Sequence, residues 1–77
     1  MSREELVKMI IEAVGEETDA ENIAEESSFM DDLDMSSLEI FSFIGELEAR
    51  IQHRIPERIL NQAATVGELA DELMEIL

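Results

Sequence analysis

The same short signal opens three apolar-periodic stretches of this chain. It is a serine or threonine followed three residues later by a glutamate, and the three pairs are Ser2 and Glu5, Ser36 and Glu39, and Thr65 and Glu68. In such a capping box the hydroxyl and the carboxylate satisfy backbone amides that the first turn of a helix leaves without partners. Three boxes, each heading an apolar repeat of helical spacing, predict three helices and fix where each begins.

The spacing of the apolar residues predicts how far the helices extend. They are expected over about Arg3–Val14, Ser37–Gln52 and Val66–Ile76, and Gly15 is expected to end the first. A fourth, short helix is predicted over roughly residues 56 to 61, because its first residue is a proline, which suits that position. The residues expected on the inner faces are Leu6, Met9, Ile10, Ala13, Val14, Ile40, Phe41, Ile44, Leu47, Ile51, Val66, Leu69, Ala70, Leu73 and Ile76.

Residues 15 to 35 form a long connection without sustained periodicity. Connections of this length are uncommon in small domains and usually functional or mobile. Phe29 and Leu33 are four residues apart, so that one helical turn could pin the end of the connection to the core. With no strand alternation or repeat, the predicted fold is all-α, a small four-helix bundle of three longer helices and one short one, in a single domain of residues 1–77.

Composition excludes several classes of function. The chain has no cysteine, which excludes disulfides, thiolate zinc sites and a cysteine nucleophile. A net charge of −15 argues against nucleic acid, because phosphate binding needs clustered Lys and Arg. No basic residue occurs between Lys8 and Arg50, so basic surfaces are the expected partners, with simple solubility as the alternative role of the charge.

Location is predicted from two features of the sequence. No apolar run approaches the ~20 residues of a membrane span, and the N-terminal stretch MSREELVKMI lacks the basic and then apolar order of a signal peptide. We therefore expect a cytoplasmic monomer without a membrane span.

The spacing of residues argues against both an EF-hand calcium loop and a catalytic serine. An EF-hand loop started at Asp32 needs glycine at its sixth position and glutamate at its twelfth, where this chain has Ser37 and Phe43. A nucleophilic serine needs a base, and the only histidine, His53, would lie roughly 24 Å along the helix from Ser37 at ~1.5 Å per residue. We therefore expect no metal site and no enzymatic activity.

The two adjacent serines at the start of the second predicted helix have different expected roles. Ser36 is the capping residue, so its hydroxyl is engaged with an amide of the first turn. Ser37 follows as the first helical residue, with a freer hydroxyl at the positive end of the helix dipole, where a phosphate is favourable. Ser37 is therefore the serine available for modification.

The stretch SFMDDLDMSSLEIFSFIGELEARIQHRIP, residues 28 to 56, resembles the core of acyl carrier proteins. That family has a phenylalanine before an acidic-acidic-leucine step, then Asp-Ser-Leu, then a helix that carries Leu-Glu and ends before Ile-Pro. The matching elements here are Phe29, Asp31-Asp32-Leu33, Ser36-Ser37-Leu38, Leu47-Glu48 and Ile55-Pro56. The resemblance extends over almost the whole chain, because Thr65-Val66 also opens the last helix as in the family.

The resemblance implies a carrier function for Ser37. In the family this serine holds 4′-phosphopantetheine, which a dedicated phosphopantetheinyl transferase installs from coenzyme A in a magnesium-dependent step. The terminal thiol of the arm carries an acyl group as a thioester and delivers it to enzymes of fatty-acid, lipid or polyketide-type biosynthesis. A chain without cysteine fits this role, because the cofactor supplies the reactive sulfur.

The resemblance also implies a surface for partner enzymes. In the family, the helix after the modified serine is the main recognition surface, and its acidic residues meet basic patches on acyl-loading and acyl-processing enzymes. The residues expected to contact partners on this helix or at its start are Ser36, Leu38, Glu39, Glu46 and Glu48.

The sequence departs from the family pattern at several positions. Ser36 stands where the family has an aspartate, and Asp34 where it has a glycine. Gly45 stands where a larger apolar residue is usual, and Ala63 where many members place a bulkier aliphatic side chain beside the acyl group. These differences imply a specialised carrier rather than the general fatty-acid one.

A further departure is a basic edge. Arg50, Arg54 and Arg58 follow one another at spacings of four, with His53 close by, in a region that the family keeps acidic. The dipole at the end of the second helix accounts for cations at the first two positions but not at Arg58. We therefore expect Arg54 and Arg58 to contact a dedicated partner and to repel generic fatty-acid enzymes.

Two alternative functions remain at this stage. The loss of the aspartate at Ser36 would suit a carrier-like bundle that is never modified and acts only as an acidic docking module. Within the carrier class, an amino-acid carrier of the peptidyl type is the main alternative, although its usual Leu-Gly-Gly approach to the serine is absent.

Overall fold

The computed structural model describes all residues of the chain, 1–77, and contains four helices. They are α1 (Arg3–Glu17), α2 (Ser37–Ile51), α3 (Glu57–Gln62) and α4 (Val66–Ile76). The all-α class and the order of three longer helices and one short one are confirmed. None of these helices is long and apolar enough to cross a membrane.

The capping boxes place the helix starts where the sequence predicts them. At α1 the Ser2 hydroxyl accepts a hydrogen bond from the Glu5 amide at 3.1 Å, and the Glu5 carboxylate accepts one from the Ser2 amide at 3.2 Å. These bonds lower the pKa of Glu5, the backbone bond from Ser2 most. At α4 the box is only half formed: the Thr65 hydroxyl accepts from the Glu68 amide, but the Glu68 carboxylate accepts from the amide of Ala64, one residue earlier.

Helix α1 is longer than predicted, because Gly15 does not end it. The helix continues to Glu17, and its C-terminal cap is Thr18, which is extended. The Thr18 hydroxyl donates to the carbonyl of Leu33 at 3.5 Å and accepts from the amide of Ala20 at 3.3 Å. The end of α1 is therefore set by a contact with the far end of the following loop, which no local pattern reveals.

The core is formed by 17 buried apolar residues from the four helices and the connections around α2. Helix α1 packs against α2 and α4, while α3 packs against α4 alone. Phe29 and Leu33 are 7% and 4% exposed, which confirms that one turn pins the α1–α2 connection to the core. Ser28 closes this turn, because its amide donates to the Asp32 carboxylate at 2.7 Å and its carbonyl accepts from the Leu33 amide at 2.9 Å.

The prediction that Phe41 faces inward is wrong. Phe41 is 63% exposed, whereas Phe43, which the sequence did not single out, is 1% exposed. At 3.6 residues per turn the two rings lie ~200° apart around the helix, so only one of them can face the core. Phe43 does so because Phe29 of the connection packs against it, with ring centroids 5.5 Å apart.

The other residues predicted on the inner faces are all buried or half-buried, which confirms those predictions. Met9, Ile40, Ile51 and Ile76 are half-buried at the edges of the core. Val7 and Met35 are buried but were not predicted to be.

Candidate functional site

Ser36 is held in the structure as the cap of α2. Its backbone is extended, at φ −77° and ψ 167°, and its hydroxyl accepts a hydrogen bond from the Glu39 amide at 3.2 Å. The Glu39 carboxylate returns the contact by accepting from the Ser36 amide at 2.8 Å. Both halves of the predicted box are present, so replacing the family's aspartate by Ser36 leaves the start of α2 intact.

Ser37, the first residue of α2, is exposed and its side chain makes no hydrogen bond within the chain. Its hydroxyl stands at the N-terminal end of a 15-residue helix. Amides of that first turn favour negative charge nearby, because their N–H groups have no partner inside the helix. The structure thus brings together, at Ser37, a free hydroxyl and an environment that tolerates an attached phosphate.

The approach to these serines is fixed by a left-handed residue. Asp34 has φ 51°, and the next residue, Met35, is 3% exposed and donates its amide to the carbonyl of Phe29 at 2.9 Å. A positive φ of this size favours glycine, which is the residue expected here from the family resemblance, but aspartate is among the side chains that tolerate it. Asp34 therefore preserves the path of the backbone into α2.

A shallow groove leads away from Ser37, which we call the Ser37 groove. It has a volume of about 170 Å³ and runs between α2 and α3, lined by Ser37, Phe41 and Glu57 together with Met30, Ile40, Leu60 and Asn61. The last four of these residues also line a second space, so the two are adjacent.

That second space is an apolar cavity of about 320 Å³, which we call the interior cavity. Its other lining residues include Phe29, Phe43, Ile44 and Leu69 from the core, and Ala63, which stands where many family members place a bulkier aliphatic side chain. The apolar cavity therefore lies next to the groove that Ser37 lines.

Comparison with known proteins agrees with this geometry. The family model described as the phosphopantetheine attachment site matches residues 4–73. The acyl carrier protein of Chlamydia caviae is 39% identical over 70 residues, which cover 90% of this chain and 88% of that protein. Those of Lactobacillus acidophilus and Rubrobacter xylanophilus are 34% and 32% identical, covering 88% and 97% of this chain and 88% and 95% of their own lengths.

The chain belongs to the acyl carrier protein family. It is accordingly a carrier that bears 4′-phosphopantetheine and works in biosynthesis of the fatty-acid type. Carriers of this family act together with a phosphopantetheinyl transferase and with biosynthetic enzymes.

The acidic residues that the sequence assigns to partner contact in this carrier all have contacts of their own. The carboxylate of Glu39 caps α2, as described above. Glu46 accepts a hydrogen bond from Arg50 at 3.1 Å, and Glu48 accepts one from the amide of Ile55 at 2.7 Å. Each of the three carboxylates therefore stabilises the carrier itself, and Glu48 in particular holds the connection between α2 and α3.

Arg50 fastens α2 to α1. Its guanidinium lies 3.1 Å from Glu16 and Glu46 and 3.6 Å from Glu12. These carboxylates raise the pKa of Arg50, first through the hydrogen bond to Glu46 and then through the charges of Glu16 and Glu12. Arg50 is thus engaged with α1 and does not form a common basic edge with Arg54.

Arg54 and Arg58 are exposed and neither forms an ion pair or a side-chain hydrogen bond within the chain. Helix α2 ends at Ile51, so Arg54 lies beyond it and does not cap it. His53 lies beside them, with its Nδ1 atom 2.7 Å from the carbonyl oxygen of Arg54. These arginines are two of five basic residues on a chain with 20 carboxylates, yet they are left without internal partners.

The sequence missed two features of this site. Phe41 and Met30 are each 63% exposed, and both line the Ser37 groove. Leu38 was expected at the surface and is 81% exposed. The positions of Phe41 and Phe43 relative to Leu47 were the available signal, because Phe43 and Leu47 are four residues apart and share a face, which leaves Phe41 outside it.

Proposed function

We propose that Ser37 is the residue of this carrier that holds 4′-phosphopantetheine, and that the acyl group rests in the interior cavity when it is not being processed. One observation carries the proposal: the free, exposed hydroxyl of Ser37 lines a groove that shares four of its residues with an apolar cavity of about 320 Å³. When bound, the arm supplies a thiol that carries the acyl group as a thioester.

The chain contributes the nucleophile and its surroundings to the attachment reaction. The oxygen of Ser37 forms a bond to the β-phosphorus of coenzyme A, the pyrophosphate P–O bond breaks, and adenosine 3′,5′-bisphosphate leaves. The hydroxyl proton passes to a base of the transferase, since the only histidine of this chain lies beyond the far end of α2. The first turn of α2 favours the phosphodiester charge that remains on Ser37.

The neighbouring serine is less suited to this reaction. The Ser36 hydroxyl oxygen already accepts the Glu39 amide, so attachment there would remove the cap of the helix that presents the site. This difference supports Ser37 rather than Ser36, although the two lie side by side in the sequence.

We further propose that the carrier is a cytoplasmic monomer without catalytic activity, and that its acidic surface attracts basic docking patches of the transferase and of acyl-loading and acyl-processing enzymes. The net charge of −15 supports long-range attraction of this kind. The acyl group itself is proposed to be of modest length, because the interior cavity is small and bounded by a short helix.

The test is intact-mass measurement after incubation with coenzyme A, magnesium and a broad-specificity transferase. We expect the addition of one phosphopantetheine, located on Ser37 by peptide digestion, and no addition in Ser37→Ala. A chain that stays unmodified with several transferases would instead be an acidic docking module, and an arm found on Ser36 would overturn the assignment.

A further inference from the structure

Four residues form the deepest part of the interior cavity. Phe29, Phe43, Ile44 and Leu69 are buried, whereas every other residue that lines the cavity is half-buried or exposed. None of these four lines the Ser37 groove, and we call them the inner wall. An acyl chain that enters the cavity from the side of Ser37 therefore meets the inner wall with its far end.

The inner wall has no polar side chain. The polar residues that line the cavity, Ser28, Asp31 and Asn61, are half-buried or exposed, and the structure contains no buried polar or charged residue. A hydroxyl or carboxylate that reached the inner wall would lose its water without gaining a hydrogen-bond partner there, which is unfavourable. The end of the chain that meets this wall therefore has to be apolar, as the methyl end of a straight-chain acyl group is.

Two of the four residues of the inner wall are aromatic and contact each other. Phe43 is the largest of the fully buried side chains, and its ring centroid lies 5.5 Å from that of Phe29. This distance is within the range of favourable aromatic pairs. Because protein cores are close-packed, a buried ring cannot move aside without disturbing its neighbours. The ring pair is therefore a fixed obstacle to a lengthening acyl chain.

The backbone of Phe29 is held on both sides. Its amide donates to the carbonyl of Ala64 at 3.0 Å, and its carbonyl accepts from the amide of Met35 at 2.9 Å. The preceding residue, Ser28, pairs with Thr65 in an isolated antiparallel bridge. These contacts fix the ring that supports Phe43 between the α3–α4 connection and the segment that leads into α2.

We propose that the ring pair of Phe29 and Phe43 sets the longest acyl group that this carrier can hold in the interior cavity, and that the load is a straight chain with an apolar end. The methyl end of the longest accepted chain contacts the ring of Phe43. This inference rests on the proposed function, and it assigns the limit on chain length to two residues rather than to the shortness of α3.

The position of the limit decides where a longer chain goes. Such a chain cannot pass the ring pair, so its additional carbons stay on the side of the Ser37 groove and move the thioester outward into water. Helix α3 can yield more readily, because its six residues have no side-chain hydrogen bond at their start. A limit set by α3 would therefore be gradual with chain length, whereas a limit set by the ring pair is abrupt.

The experiment loads the full chain with straight acyl groups of increasing length, from butanoyl upward, by enzymatic transfer of the acylated arm from acyl-coenzyme A. Cleavage of the thioester by hydroxylamine measures how far the thioester is exposed to water. We expect the cleavage rate to stay low for chains that fit and to rise several-fold beyond one chain length. In the longest chain that fits, a ¹³C-labelled terminal methyl should show NMR contacts to the rings of Phe43 and Phe29.

Variants of the inner wall test which residues set the limit. Phe43→Leu leaves a side chain with fewer carbons, so the rise in cleavage rate should move to acyl chains longer by up to about three carbons, and by less where the core collapses. Phe29→Leu, at a less buried position, should move the rise in the same direction and replaces the first variant if that one is unstable. Leu69→Val changes the same wall without altering a ring and should leave the limit within about one carbon.

A control outside the cavity separates the limit on length from stability. Leu47 is fully buried on α2, one turn after Phe43, and lines neither the Ser37 groove nor the interior cavity. Leu47→Val should lower the free energy of unfolding in urea, as the variants of the inner wall do. It should leave the limiting chain length unchanged.

Three results contradict the inference. They are the same limiting length in the parent chain and in both phenylalanine variants, an equal shift of the limit in Leu69→Val, and a terminal methyl of the longest accepted chain that contacts only Leu60 and Ala63. Failure of the proposed function gives a different result. In that case intact mass shows no arm on Ser37, or the terminal methyl contacts no residue of the cavity at any chain length, and the role of the ring pair fails with it.

Discussion

The two sides of α2 have different neighbours. On one side α1 packs along it, and Arg50 connects the two helices through Glu12 and Glu16. On the other side α3, only six residues long, packs against α4 and leaves two grooves and the interior cavity facing α2. A chain of this size buries too little surface to accept empty space throughout. Because the empty space lies on the α3 side of α2, the tightly packed α1 side can contribute most of the stability of the fold.

The largest effect expected from this division is at Ser37, the proposed attachment site. Ser37→Ala should abolish attachment of the arm and leave the unfolding free energy nearly unchanged, because the side chain is exposed and makes no hydrogen bond within the chain. Ser36→Ala should lower that free energy by about 0.5–2 kcal/mol through loss of the cap and still accept the arm. Intact mass and urea unfolding followed by circular dichroism measure both quantities, and loss of the arm in the Ser36 variant alone would reverse the roles.

Truncation of one leucine on each side tests where stability resides. Leu6→Ala in α1 should cost about 2–5 kcal/mol, because Leu6 is fully buried. Leu60→Ala in α3 should cost about 1 kcal/mol, because Leu60 is half-buried and already borders open space. Equal losses in urea unfolding would mean that the α3 side is as important for stability as the α1 side.

Changing charged residues on the α3 side should change which enzymes load the carrier, whereas the same change of charge on α1 should not. Replacing Arg54 and Arg58 with Glu should speed acyl loading by a fatty-acid enzyme with a basic docking patch, on the order of tenfold at low salt, and slow the dedicated partner. In a milder variant both arginines are changed to Gln, which lowers the net charge by two units. Lys8→Glu on α1 lowers the net charge by the same amount and serves as the control. If loading rates of the Gln variant and the control are alike, net charge alone decides the rate.

The smallest effect concerns salt. Twenty carboxylates against five basic residues leave most charge unpaired, so sodium chloride or millimolar magnesium should raise the melting temperature by a few degrees by screening repulsion. The rise should be larger in Arg50→Met, which loses the ion pairs that salt would otherwise weaken. A melting temperature insensitive to both additions would show that the carboxylates are too dispersed to destabilise the fold.

Features decided by neighbouring residues could be predicted from the sequence. The capping boxes gave the starts of α1, α2 and α4, and the same local chemistry distinguished Ser36 from Ser37. The family resemblance also marked Asp34 as a glycine position, and the structure gives the reason in its φ of 51°.

Features decided by distant contacts could not be predicted. At the end of α1 the Thr18 hydroxyl lies 3.5 Å from the carbonyl oxygen of Leu33, 15 residues away in sequence, a contact that no local pattern shows. The contact between the rings of Phe29 and Phe43 is also one that no local pattern predicts, because the two residues come from different segments of the chain. In the sequence Arg50 is likewise interpreted as a cation at the end of a helix, and only the packing of α1 against α2 brings it to Glu12 and Glu16.

The shortness of α3 has a consequence for how the cargo can be followed. Six residues are too few to form a stable helix alone, and α3 has no side-chain hydrogen bond at its start. Its amides should therefore open to solvent more readily than those of α1 or α4. An acyl chain in the interior cavity, as proposed above, would add apolar contacts to Leu60 within this helix and to Ala63 just beyond it. Deuterium uptake by the amides of α3 should then fall as the attached acyl chain lengthens, until the chain is too long for the cavity. Hydrogen exchange in this one short helix would therefore report the length of the acyl group without any enzyme present.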